Sequence, residues 1–175
     1  MDELSTYKAK RDKKKTPEPF SSKSADKTKL FFVIQEHKTI RPHFDFRLQV
    51  RSVMPSWAIP KGVQDDPTVK RLAMKTEDHP LDYRKFHGTI PEGEYGAGEV
   101  LIFDEGTYIP EVEISKGVRK KVDQADWEKV MLEGIEKGEI KFYLKGKKVK
   151  GSFALVKTHG FPPGKLNAWL LIKHK

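Results

Sequence analysis

From Leu30 onward the chain breaks into short apolar stretches separated by connections that carry Gly or Pro. Leu30-Phe31-Phe32-Val33-Ile34 is an unbroken apolar run, the mark of a strand buried on both faces. His43-Phe44-Asp45-Phe46-Arg47-Leu48-Gln49-Val50 has a strict period of two. Phe44, Phe46, Leu48 and Val50 share one face of that strand, and His43, Asp45, Arg47 and Gln49 share the other. Residues 57–59 and 71–74 read as further short strands, and residues 100–103 and 106–109 as a pair joined across Asp104-Glu105. Near the C-terminus, Ile140, Phe142 and Leu144 alternate with Lys141 and Tyr143. A turn at Lys145-Gly146-Lys147 follows, then alternation at Phe153 and Leu155, and Trp169-Leu170-Leu171-Ile172 closes the series.

One stretch has a different period. Over residues 123–137, Trp127, Val130, Met131 and Ile135 recur at helical spacing, with Asp123 placed to cap the start and Val122 to pack on Trp127. The expected fold is mainly all-β, an antiparallel sandwich or barrel with one short outer helix. Residues 1–29 have no sustained period. They read as a basic N-terminal arm carrying Lys8, Lys10, Arg11, Lys13, Lys14, Lys15, Lys23, Lys27 and Lys29, and residues 30–175 read as the barrel domain. By composition alone such an arm is a solvated tail.

Composition adds two facts. The 175 residues suit one domain and carry a formal net charge of +9, which favours an anionic partner such as nucleic acid. There are no cysteines, so disulfides, thiolate metal sites and a cysteine nucleophile are excluded. No apolar run is long enough for a membrane span, and Met1-Asp2-Glu3-Leu4 lacks the layout of a signal peptide. A cytoplasmic, nucleoid-associated monomer with no membrane contact is expected.

The chemistry concentrates in Gln35-Glu36-His37-Lys38-Thr39-Ile40-Arg41-Pro42-His43-Phe44-Asp45-Phe46-Arg47. His43 and Asp45 project from the same strand face and can share a metal ion, and a turn at Arg41-Pro42 lets His37 return as a third ligand. Two imidazoles and a carboxylate suit Mn, Fe or Zn and leave positions open for water and substrate. Arg47 has the wrong charge for the metal and the right fork for a phosphate beside it. The plain alternative is a solvated strand face with a surface ion pair. Lys61, after a strand end, and Arg71 are further candidate anion ligands. Glu77-Asp78-His79-Pro80-Leu81-Asp82-Tyr83 presents an acid, an imidazole and a phenol in a Pro-broken loop, with His79 as general acid or transition-state donor. Gly93-Glu94-Tyr95-Gly96-Ala97-Gly98 is a tight structural turn, not a Walker loop, because no Gly-Lys-Ser/Thr follows.

At these motifs, together with Ser56-Trp57-Ala58-Ile59-Pro60-Lys61-Gly62 and Ile90-Pro91-Glu92-Gly93, the chain resembles the 3′-phosphoesterase domain of bacterial DNA ligase D proteins and its stand-alone archaeal relatives. The resemblance runs over most of the chain, from Arg11-Asp12 to Trp169-Leu170-Leu171-Ile172-Lys173. It implies a β-barrel with a shallow surface groove and manganese on His37, His43 and Asp45, other divalent transition metals being alternatives. It places Arg47, His79 and Tyr83 around the scissile phosphate, Lys61 and Arg71 nearby, and Gln35, Ser56 and Glu77 in support. Arg11, Asp12 and Glu18 of the arm are implied to lie beside the site. The implied activity is repair of DNA or RNA 3′ ends, especially a primer–template ending in a 3′-ribonucleotide or 3′-phosphate. A diesterase step removes the terminal nucleoside, and a monoesterase step then exposes the 3′-hydroxyl. A ligase, a polymerase or Ku would be partners supplied in trans. Two rival classes remain from the residues alone. A non-catalytic nucleic-acid-binding barrel would bind no metal, and an Fe(II) oxygenase would need air and no Arg47, Lys61 or Arg71.

Overall fold

A computed structural model describes residues 3–23 and 28–175, so Lys27 of the arm and Met1-Asp2 lie outside the described residues. The elements in order are α1 (Ser5–Ala9), β1 (Leu30–Lys38), β2 (His43–Leu48), β3 (Val53–Met54), β4 (Ser56–Ile59), β5 (Lys70–Lys75) and β6 (His79–Pro80). A 3-10 helix (Leu81–Lys85) is followed by β7 (Gly88–Ile90), β8 (Gly98–Ser115), β9 (Val118–Lys121), α2 (Trp127–Lys137), β10 (Glu139–Gly146), β11 (Lys150–Lys157) and β12 (Ala168–Lys173). The antiparallel ladder runs β1-β2-β4-β5-β12-β11-β10-β8, and β8 pairs back onto β1. The sheet therefore closes into a barrel. Among the described residues no helix is long and apolar enough to cross a membrane.

The period-two pattern explains the interior. Phe32, Ile34, Phe46, Leu48, Trp57, Ile59, Phe142, Phe153 and Trp169 all turn inward and are almost wholly buried. Truncating one of these aromatic side chains to alanine costs about 3–5 kcal/mol. α2 lays Met131 against this core, with Leu132 and Ile135 half-buried beside it.

Three local expectations change. Residues 100–103 and 106–109 are not a hairpin but parts of one long strand, β8. Asp104 does not turn the chain. Its buried carboxylate accepts hydrogen bonds from the backbone N–H groups of Glu105, Lys147, Lys148 and Val149, and so ties down the β10–β11 turn. Gly106 is required by close approach, because a Cβ there would lie 2.2 Å from the Lys145 carbonyl oxygen on β10. Second, the helix proper starts at Trp127 after a 3-10 turn (Gln124–Asp126), and Asp123 makes no side-chain cap. The Trp127 Nε1–H donates to the Val122 carbonyl at 2.9 Å, so this contact is polar as well as hydrophobic. Third, the Pro-broken loop forms β6, paired with β3, and then the 3-10 helix.

The other face of β1 and β2 is not solvated either. A layer of β3, β6 and the 3-10 helix covers it through Val33, Met54 and Leu81. Leu4, Tyr7, Val53 and Tyr83 form a further apolar cluster in which residues of the arm meet that layer. Asp45, Arg47 and Gln49 are consequently buried, between two apolar layers.

Candidate active site

The β1–β2 register sets the geometry. Gln35 faces Asp45, and His37 faces His43, across an antiparallel ladder. One ligand atom from each of His37, His43 and Asp45 comes within 4.8 Å of the others. His37 Nδ1 is 3.6 Å and His43 Nε2 3.3 Å from the same oxygen, Asp45 Oδ2. The remaining ring nitrogens are held by the backbone. His37 Nε2 lies 2.7 Å from the Gly96 carbonyl, and His43 Nδ1 lies 3.0 Å from the Arg41 carbonyl. A carbonyl only accepts, so each of these nitrogens carries the proton and the opposite lone pair turns toward Asp45.

Charge follows from this packing. Burial works against ionised Asp45, but Arg47 and the two imidazoles outweigh it and hold its carboxyl well below the usual range. For His43, burial is outweighed by Asp45 and the Arg41 carbonyl, which raise its pKa. The cleft over these residues is about 310 Å³ and is also lined by Arg11, Glu18, Arg47, Glu77, His79, Tyr83, Tyr95 and Gly96. With neutral imidazoles its two lining arginines and three lining carboxylates sum to −1; Lys10 pairs with Glu77 from outside, and the point that suits a cation is Asp45 Oδ2 between the two imidazoles. Two nitrogens and one oxygen, with tautomers fixed from behind, fit a first-row divalent ion.

Arg47 is held on three sides. Its Nε donates to Gln35 Oε1 at 2.7 Å, its Nη2 lies 3.4 Å from Asp45 Oδ2, and its guanidinium stacks 4.6 Å from the Tyr83 ring centroid. Gln35 is fixed in turn by donating Nε2–H to the Tyr83 and Phe86 carbonyls. Arg47 Nη1 is buried and has no hydrogen-bond partner among the described residues. An orphan guanidinium nitrogen costs about 1–3 kcal/mol or more, which an anion in the cleft would recover.

His79 Nδ1 lies 2.9 Å from the Glu77 carbonyl and 3.4 Å from Ser56 Oγ, whose own proton goes to the Met54 carbonyl. Nδ1 therefore holds a proton, and Nε2 of the neutral ring is an acceptor. Burial, then Arg47 and Arg11, push the pKa of His79 well below the ordinary value. The sign for stability follows from linkage. The unfolded chain takes up a proton below about pH 6.5 that the folded chain does not, so stability should fall as pH drops through that window. The raised His43 acts in the opposite sense and above that pH. Unfolding free energies from urea titrations in chelator between neutral pH and about 5.5 should fall less in His79→Gln than in wild type, by up to about 1.4 kcal/mol per pH unit. Equal slopes would mean that His79 is protonated in the fold.

The arm contributes directly. Arg11 donates to Glu18 Oε2 at 3.0 Å and to Glu77 Oε1 at 3.1 Å, and lies 3.9 Å over the Tyr7 ring. Glu18 also accepts from Thr16 Oγ1 at 2.9 Å and from the Tyr83 hydroxyl at 2.6 Å. Burial, and the Glu18 charge against which Arg47 works, leave the Tyr83 phenol well above its ordinary pKa. Three of the other candidates lie elsewhere. Asp12 is exposed and caps its own turn by accepting from the Lys14 N–H, and neither exposed Lys61 nor Arg71 lines the cleft. Arg71 faces Leu171 across β5–β12, on the barrel-interior side of the sheet.

Sequence reasoning missed Tyr7, fully buried and packed edge-on to His79 with ring centroids 5.0 Å apart, and Gly96, whose carbonyl holds His37. The glycine-rich turn was legible as a turn. Its reach back to β1 was not, because that depends on β8 pairing beside His37.

Comparison with known proteins gives a consistent family. Residues 35–157 match the family model described as the DNA ligase D 3′-phosphoesterase domain. The chain is 42% identical over 98% of its length to the multifunctional non-homologous end joining protein LigD of Pseudomonas aeruginosa, covering 18% of that protein. It is 43% identical over 91% of its length to the corresponding DNA repair protein of Mycobacterium tuberculosis, covering 19% of it. The chain thus spans about a fifth of the length of these relatives.

Proposed function

The chain belongs to the DNA ligase D 3′-phosphoesterase domain family, and from that premise we propose that it heals nucleic-acid 3′ ends in DNA break repair as a manganese-dependent hydrolase. It removes a 3′-terminal ribonucleoside from DNA or RNA and then the 3′-phosphate left behind. One observation carries the reading: buried Arg47 Nη1 has no partner among the described residues, and Arg47 lines the same cleft as the three-ligand cluster. A group that is short of a cation and beside an unpaired guanidinium suits a metal ion with a phosphate on it.

His37, His43 and Asp45 would hold the manganese, which when bound would act as a Lewis acid toward the phosphate and make water more acidic. The chain's own groups do the rest. Arg47 grips a non-bridging phosphate oxygen through Nη1 while Gln35 and the Tyr83 ring fix its plane. His79 Nε2 faces the leaving oxygen. Because Nδ1 is already the donor to Glu77, Nε2 can donate only from the imidazolium, so an arriving phosphate must first raise the pKa of the ring. Glu18 and Arg11 position Tyr83 and Glu77. Ligase, polymerase or Ku partners would act on the healed end.

The direct test is a primer–template ending in one 3′-ribonucleotide, incubated with and without Mn²⁺. Shortening by one nucleoside to a 3′-phosphate, then loss of phosphate, both abolished by chelator, is the expected result. Unchanged ends in the presence of Mn²⁺ would refute the proposal. Arg47→Lys retains charge and loses the fork, so it should lower kcat/KM at least about a hundredfold, ~2.7 kcal/mol. Wild-type kinetics in that variant would remove Arg47 from the phosphate.

A further inference from the structure

The β1–β2 turn joins two of the proposed metal ligands, and its tip is unusual. Ile40 is 99% exposed, at the end of a hairpin whose two strands deliver His37 and His43. Thr39 lines the cleft, and Lys38 and Arg41, to either side of Ile40, are exposed cations. Among the described residues Lys38 has only a long surface contact with Glu99, at 3.8 Å, worth little in water. A large aliphatic side chain fully in water at the mouth of a charged cleft is an apolar contact waiting for a ligand. Isolated exposed apolar residues are common, so its place matters more than its exposure.

A nucleic-acid end offers two kinds of surface, charged backbone and apolar base faces. The cleft accounts for the first. Arg47 is only 3% exposed, so a phosphate that reaches it must descend below the protein surface. The base on the same nucleotide is then left at the rim. Tyr95 also lines the rim, but Lys10 and Arg11 already lie 4.9 Å and 5.1 Å from its ring centroid. Ile40 has one face free, with cations on both sides to meet the flanking phosphates.

We propose that Ile40 is the base-contacting residue of the substrate site: it packs against the face of the 3′-terminal base and draws that base off its neighbour as the phosphate enters the cleft. This rests on the phosphoesterase reading above. The contact needs no sequence preference, because every base has an apolar face. It gives the hairpin two tasks, with ligands on its strands and the end-reading contact at its tip.

The test uses Ile40→Ser, which alters a side chain outside the core and leaves the ligand set intact. On a primer–template with a terminal base, KM should rise about tenfold with kcat nearly unchanged, as expected for uncovering part of one isoleucine side chain. On the same end with an abasic terminal nucleotide, wild type and variant should have the same KM. Placed at the terminal position, 2-aminopurine should brighten on binding wild type in chelator, through unstacking, and much less on binding the variant. Manganese affinity should be equal in both. Equal KM on the normal end would overturn the inference, as would an equal penalty on the abasic end or no 2-aminopurine response in wild type. Failure of the wild-type protein to process any 3′ end would instead overturn the phosphoesterase reading.

Discussion

Asp45→Asn should abolish divalent-metal binding and, with it, both ester cleavages. Among the described residues Asp45 is the one carboxylate that lies within reach of both His37 and His43, and a single oxygen, Oδ2, faces both rings and Arg47. The amide keeps the shape but removes the charge that brings the cleft to −1. The surviving pair of imidazoles would then face a net charge of zero, with Arg47 repelling any cation. A fall of at least about a thousandfold in kcat/KM is expected, ~4 kcal/mol of lost transition-state stabilisation. Mn²⁺ titration by calorimetry or by electron paramagnetic resonance should show no tight site. Removing one member of a buried charge pair also costs stability, about 3–5 kcal/mol, so circular dichroism should confirm a folded barrel before the kinetics are read. A folded Asp45→Asn protein with wild-type turnover in saturating Mn²⁺ would remove Asp45 from the metal.

Much of this was legible in the residues because β-structure has a simple period. The alternation from His43 to Val50 separates a core face from a chemical face whatever the barrel does elsewhere. What the period cannot supply is what lies on top of the chemical face. The pattern leaves a solvated face open as the alternative for Asp45 and Arg47, whereas Met54, Leu81 and Tyr83 form a roof over that face. That roof comes from segments with weak local signals: a two-residue strand, a 3-10 helix and the arm. Gly106 shows the same limit. Beside Asp104-Glu105 a glycine reads as a turn, but it serves the passage of β10 against β8. Long-range pairing decides both cases, and neither Lys61 nor Arg71 could be placed without it. Lys61 ends up past the end of β4, and Arg71 on the interior side of β5.

Removing the residues before Leu30 should cut diesterase turnover about a hundredfold or more, even at saturating substrate and low salt, while Mn²⁺ affinity changes little. The composition of the arm argues otherwise, since lysines in such number read as an electrostatic tether. The contacts argue for a positioning role. Tyr7 is buried against His79, and Arg11 bridges Glu18 and Glu77, the residue whose carbonyl fixes the His79 tautomer. Glu18 already accepts from Arg11, Thr16 and Tyr83, which fill most of the acceptor positions of its buried carboxylate, so it is expected to act on the substrate through Tyr83 and Arg47. Without the arm, the buried faces of His79 and Tyr83 open to water, and the Tyr83 ring that flanks Arg47 loses its anchor. Displacement of a catalytic group by about 1 Å can cost a hundredfold in rate. The main core includes no described residue of the arm, so the barrel should survive the deletion. The milder variant Glu18→Gln tests the same link with the arm in place. It should lower kcat more than it raises KM and leave the metal titration unchanged. A purely electrostatic tether behaves differently: its loss raises KM, flattens the salt dependence, and is cured by more substrate. Full turnover of the truncated protein at saturating substrate would show that the residues before Leu30 serve binding alone.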